Sequence, residues 1–149
     1  MALEDVVDEE NNDLFCWYDD AYGKMDTIIT SLEVGTGAEN TRKMIENWNG
    51  PNGYGEPNTG SYPDVWGIAE VQRKAEEGWY VPSRAEWATF ADAFNITSSN
   101  YNDEFELSTI YWSSSQRTTS RVWFVSFNYG CMYDYYDYDY HYVRLGGTF

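Results

Sequence analysis

The sequence predicts an α+β fold in which two or three helices pack on short, mostly antiparallel strands joined by long loops. Three observations carry this. The stretch GWYVPSRAEWATFADAF, residues 78–94, joins a short β-prone run to a proline stop and a Ser83/Glu86 capping-box pattern, after which Trp87, Phe90, Ala91 and Phe94 recur at helical spacing and are expected toward the core. Residues 121–128, RVWFVSFN, alternate strictly, so that Trp123, Val125 and Phe127 are expected to point inward and Phe124, Ser126 and Asn128 outward. Helical patterns fill the first half and strands the second, which separates the two kinds of element instead of alternating them. With 149 residues, 42% hydrophobic and 19% aromatic, the chain is of a size for one domain with a buried core.

Along the chain, residues 4–13 are acidic and read as the end of a poorly ordered lead-in over 1–13, leaving a single domain at 14–149. Leu14, Phe15, Trp17 and Tyr18 suggest a first short strand or packed segment, and 27–32 form a second apolar stretch. Residues 36–47 read as a helix capped by Thr36 with Glu39 three residues on, where Met44, Ile45 and Trp48 share a face. The Gly-, Pro- and Asn-rich stretch 50–62 is loop. Asp64 then caps a second helix through Val65, Ile68, Val71 and Ala75 that stops at Gly78. A strand at 79–81, the Ser83 helix, a polar loop over 95–108 and a strand at 110–114 follow. After strand 121–128, Asn128-Tyr129-Gly130 turns the chain, and a closing strand runs through Tyr142, Val143, Arg144 and Leu145.

Asp and Glu outnumber Lys and Arg by 25 to 9, a formal charge of −16, with no basic stripe to track phosphates. Nucleic acid and anionic membrane surfaces are thereby disfavoured as partners, and no apolar stretch reaches the ~20 residues needed to span a bilayer. The opening lacks the basic start and apolar run of a secretory signal, so the chain either is not exported that way or begins after a signal. Cys16 and Cys131 lie far apart without CxxC spacing and read as free thiols.

Residues 128–142 read NYGCMYDYYDYDYHY, and all but Met132 are encoded by codons reachable from AAC or AAT by changing only the adenines. That is the residue of adenine-directed mutagenesis. The same residue types suit a contact surface, since Tyr offers a large amphipathic area with little rotamer entropy to lose, and Asp, Asn and Gly adapt their hydrogen bonding around it. The competing reading is a solvated low-complexity tail. Its short length and its bracketing by VWFVSF and YVRL argue instead for display on ordered backbone.

GTGAENTRKMIENW (35–48), GWYVPSRAEW (78–87) and YWSSS…RVWFVSFNYG…YVRL (111–145) resemble, in order and spacing, C-type-lectin-fold domains, a group that includes the formylglycine-generating-enzyme-like proteins. The ending resembles, more narrowly, variable proteins of diversity-generating retroelements. The resemblance implies a C-type lectin fold and a non-enzymatic ligand-binding protein whose 3′ end is rewritten by an error-prone reverse transcriptase. It implies a variable region at about 113–142, with contacts from Phe124, Ser126, Asn128, Tyr129, Cys131, Tyr133, Asp134, Tyr135, Tyr136, Asp137, Tyr138, Asp139, Tyr140 and His141, extended by 117–121. The ligand is unknown, a protein or surface with a basic character favoured by the acidic patch. An invariant surface or structural module of the same fold is the alternative. Ligand identity, oligomeric state and display on a virion or a cell stay open.

Other chemistry fits less well. Glu56-Pro57-Asn58 matches a sugar-gripping tripeptide of calcium-dependent lectins but lacks the downstream Trp-Asn-Asp partner, so turn geometry explains it better. His141 alone, with Cys16 and Cys131, is too few ligands for an oxidase metal centre, and no cofactor is expected. Asp134, Asp137 and Asp139 lack the Gly and Glu of an EF-hand and read as exposed acids on a shared strand face. Asn95-Ile96-Thr97 is a chance-level sequon. Most Trp residues sit at core positions, while Trp112 adjoins Ser113 to Ser115 near the expected platform.

Overall fold

The computed structural model describes residues 1–18, 28–50, 63–137 and 139–147. Three helices and seven short strands occur among them: β1 (Phe15–Cys16), α1 (Gly37–Asn49), a 3₁₀ turn (Val65–Gly67), α2 (Ala69–Glu76), β2 (Trp79–Tyr80), α3 (Arg84–Ala93), β3 (Ile110–Gln116), β4 (Arg121–Ser126), β5 (Cys131–Tyr136), β6 (Tyr140–His141) and β7 (Gly146–Gly147). All strand pairings are antiparallel, in sheets β1-β6, β2-β7 and β3-β4-β5. The α+β class and the short antiparallel strands expected from the sequence are therefore present. The loop expected at 50–62, with Glu56-Pro57-Asn58, lies outside the described residues except for Gly50.

The central sheet is covered on both faces, which corrects the one-sided reading of residues 121–128. Val122 and Phe124 pack with Trp112 in a core that includes Phe15, Trp17, Met44 and Trp66. Val125 and Phe127 pack on the opposite face with Trp87, Leu107 and Tyr111. A strand buried on both sides has no solvent face to alternate with. Trp123, expected inward, is instead half-buried beside the Arg84 and Arg117 guanidiniums.

Strand β3 is buried from Tyr111 to Gln116 although its sequence is SSSQ over the last four positions. Polar groups are tolerated there because each is bonded. The Trp17 and Trp87 indoles donate to the carbonyls of Ser113 and Trp112 at 2.8 and 3.1 Å, and Trp112 donates to Phe15 at 2.7 Å. Ser113 Oγ donates to the Trp123 carbonyl, Ser115 Oγ to that of Ser31, and Asn40 Nδ2 to Ser114 Oγ. Trp112 thus belongs to the core and not to a platform.

The stretch expected at 27–32 forms no strand among its described residues. Side chains hold it instead: the Ile29 N–H donates to Gln116 Oε1, Thr30 Oγ1 accepts from the Gln116 N–H, and Asn40 bridges both backbone groups of Ser31.

The Ser83/Glu86 capping box forms as expected. Glu86 also does what Thr36 was expected to do: its Oε1 accepts from the N–H groups of Gly35 and Gly37 at the start of α1, where the Thr36 side chain makes no cap. Thr36 Oγ1 donates to the Glu33 carbonyl instead. Gly37 suits this approach, since a Cβ there would press on Glu86 Oε2 and, at 2.7 Å, on the Tyr80 ring, and would push the capping carboxylate aside. Asp64 precedes the 3₁₀ turn, and α2 begins only at Ala69. Phe94, expected in the core, ends α3 and is 56% exposed, leaning on Phe90 and Phe105.

The opening residues are docked, contrary to the expected loose lead-in. Ala2 and Val6 N–H groups donate to the carbonyls of Leu145 and Val143 at 2.7 and 2.8 Å. Asp5 accepts from Arg144 Nε at 2.6 Å, the Tyr111 hydroxyl at 2.8 Å and Ser108 Oγ at 2.9 Å. Burial pushes the Tyr111 phenol up to about 12, so it remains a donor to Asp5. Removing Asp5 strands the buried Arg144. Asp5→Ala is expected to lower unfolding free energy in urea by about 3–5 kcal/mol, whereas Glu39→Gln, in a solvent-exposed helix pair, is expected to leave it nearly unchanged.

Candidate functional site

The Tyr-rich segment begins as an edge strand. Strand β5 is the outermost of β3-β4-β5, held in register from Arg121↔Tyr136 to Ser126↔Cys131, and Gly130 at φ 69° makes the turn that a side chain would strain. Cross-strand partners share a face, so Tyr133 stands over Phe124 and Tyr135 over Val122, while Asp134 and Tyr136 face the side of Trp123 and Arg121. Tyr129 is 72% exposed, and Tyr133, Tyr135, Tyr136 and Tyr140 lie between 39% and 46%. These five rings, with exposed Asn128 and half-buried Asp139, form a displayed aromatic edge.

Phe124, Ser126, Asp137 and His141, expected as contact residues, are buried. Each has a physical reason. Phe124 packs between Trp112, His141 and Tyr133, at ring separations of 6.3, 4.8 and 5.9 Å. Ser126 lies between strands, opposite Ile110 and Cys131, and its hydroxyl donates to Asn128 Oδ1. The Asp137 carbonyl accepts from the N–H groups of Trp17 and Tyr18, and its own N–H donates to the Ser120 carbonyl. His141 pairs with Phe15 in the β1-β6 ladder and lies 4.2 Å from the Trp112 ring. Tyr138 and the side chain of Cys131 lie outside the described residues. Ser113 to Gln116, the start of the expected variable region, are buried and structural.

The three acids do not share a strand face. Asp134 turns to Arg117 and Arg121 at 2.5 Å each, Asp137 is buried, and Asp139 lies 3.7 Å from His141 Nε2. Burial alone would raise the Asp134 carboxyl, but hydrogen bonds from Arg121 and Arg117 hold it below the usual carboxylate range. Among the described residues no group of three or more His, Cys, Asp or Glu converges on one point. None of the helices among them is long and apolar enough to cross a membrane.

Behind the edge lies a cationic stack that local sequence patterns did not reveal. Arg84 lies 4.5 Å over the Trp123 ring and Arg117 5.5 Å from it, while Arg121 covers Tyr136 at 4.8 Å. Arg84 arrives from the first turn of α3, a long-range approach, and only its place in the capping segment hinted at a fixed position. No family model matches the chain, and neither does any curated protein or solved structure compared with it.

The buried imidazole makes the floor of the aromatic edge sensitive to acid. Burial pushes His141 down to about 4 from 6.5, against the opposing pull of Asp139. The folded state therefore binds fewer protons than the unfolded state between these values. Stability is fully present above about pH 6.5 and is lost as pH falls toward 4, by about 3 kcal/mol in all. Urea titrations across this range are expected to show that loss, and His141→Phe is expected to flatten it.

Proposed function

We propose that the chain is a non-enzymatic ligand-binding protein of C-type lectin fold, with a C-terminal surface diversified by adenine-directed mutagenesis from a retroelement. One observation carries the reading. Within residues 128–142 Met132 alone falls outside the AAC/AAT codon set, and Met132 packs against the core of Trp87 and Phe127, whereas Tyr129, Tyr133, Tyr135, Tyr136 and Tyr140 stand exposed; Tyr142, at the end of the run, packs on that core as Met132 does. The fold assignment rests on the resemblance and is supported by the α+β architecture, in which the two short strands after the late hairpin, β6 and β7, return to pair with β1 and β2.

Among the described residues the contact set narrows to Asn128, Tyr129, Tyr133, Asp134, Tyr135, Tyr136, Asp139 and Tyr140, with Cys131 and Tyr138 kept from the sequence reading. Phe124 and Ser126 lie within the codon set yet are buried, so the match between codon set and outward face does not extend to β4. Tyr rings serve as anchors, and a charge of −16 favours encounter with basic partners at rates that fall with added salt.

An invariant module that packs its tyrosine edge on a neighbouring subunit makes the opposite genetic prediction. Sequencing the gene's surroundings is expected to find a non-coding near-copy of its 3′ end that differs only at adenines, beside a reverse transcriptase gene. Sibling genes with an unchanged segment, or with changes at random codons, would contradict diversification.

A further inference from the structure

The stack around Trp123 has the character of an incomplete binding site. Every other Arg and Lys among the described residues is ion-paired, including Arg117 and Arg121 with Asp134. Arg84 has no such partner among them. Its Nε–H and the Trp123 indole N–H are both shielded from solvent and have no acceptor, although they belong to the same 4.5 Å contact. Two neighbouring buried donors without an acceptor weaken the folded state, and an incoming acceptor would relieve both.

The chain itself shows which acceptor this cluster takes. A carboxylate, that of Asp134, already occupies the Arg117 and Arg121 side, from the strand position directly opposite Trp123. Two guanidiniums therefore share one carboxylate, and the third, that of Arg84, has none in an otherwise acidic protein. The Arg117 side chain is 53% exposed and lies 5.5 Å from the Trp123 ring, so it can swing from that ring at little cost.

We propose that Arg84, Arg117 and the Trp123 indole N–H form a subsite for a carboxylate of a bound ligand. Arg84 presents a planar fork suited to a carboxylate, held in orientation by stacking on the indole. Asp134 competes for Arg117 and so acts as an internal plug on half of the subsite. The site does not depend on diversification of the tyrosine edge, and it can stand or fall alone.

The test is titration of the whole, ¹⁵N-labelled chain with sodium acetate and with an acetylated, amidated tri-glutamate peptide, each against sodium chloride at matched ionic strength. The Trp123 indole and Arg84 Nε–H resonances are expected to shift saturably with carboxylate and not with chloride. A response to both probes indicates a general carboxylate site, and a response to the peptide alone indicates one built for a protein side chain. Arg84→Gln should abolish the shifts, and Asp134→Asn, which frees Arg117, should tighten binding severalfold. Shifts that follow ionic strength alone would overturn the proposal. Shifts unchanged in Arg84→Gln, or no tightening in Asp134→Asn should Arg84→Gln fail to fold, would do the same.

Discussion

Strand β3 crosses the middle of the domain with Tyr111 to Gln116 buried, and three indole N–H groups bind it to its surroundings: Trp17 and Trp87 donate to its carbonyls, and its own Trp112 donates to Phe15. A buried polar strand is stable only if its groups are satisfied. Serine suits these positions because its hydroxyl is small enough to sit between helix, loop and neighbouring strand and still reach a partner, as Ser113, Ser114 and Ser115 each do. Strand β4 is registered on β3, and β5 on β4. The position of every exposed tyrosine on β5 therefore traces back to this strand.

Display and support are separated by only one residue along the chain. Tyr140 is half-exposed while His141 beside it is buried, and Tyr136 is exposed beside buried Asp137. Asp137 is tied through its carbonyl and N–H, so the backbone fastens this corner to Trp17, Tyr18 and Ser120 whatever the side chain. His141 and Phe124 lie beneath Tyr133 as a ring-packed floor. Variation in such a segment costs little at the exposed positions and much at the buried ones.

The features legible in the sequence were the local ones. The capping box of α3, the turn at Asn128-Tyr129-Gly130 and the hairpin strands rest on contacts between residues near in sequence, and all three are present. Misreadings arose where long-range partners decided the outcome. Phe124 looked outward because alternation implies a solvent face, and the cover comes from β1 and β6, far from it in the chain. Asp5 looked like one acid among many in a solvated lead-in, and only the fold brings Arg144 and Tyr111 to it. Glu86 was legible as the cap of its own helix and not as the cap of α1.

If the tyrosine edge is built to vary on a scaffold that does not, tolerance to substitution must follow exposure residue by residue within one short segment. A saturation library over residues 111–142, displayed and sorted for resistance to proteolysis of the folded chain, measures this directly. Tyr129, Tyr133, Tyr135, Tyr136 and Tyr140 should each accept most residue types without loss of folding. Trp112, Ser113 to Ser115, Phe124 and His141 should accept few. A library in which the five tyrosines prove as intolerant as Phe124 would make them structural, and the edge would then be no place for diversity.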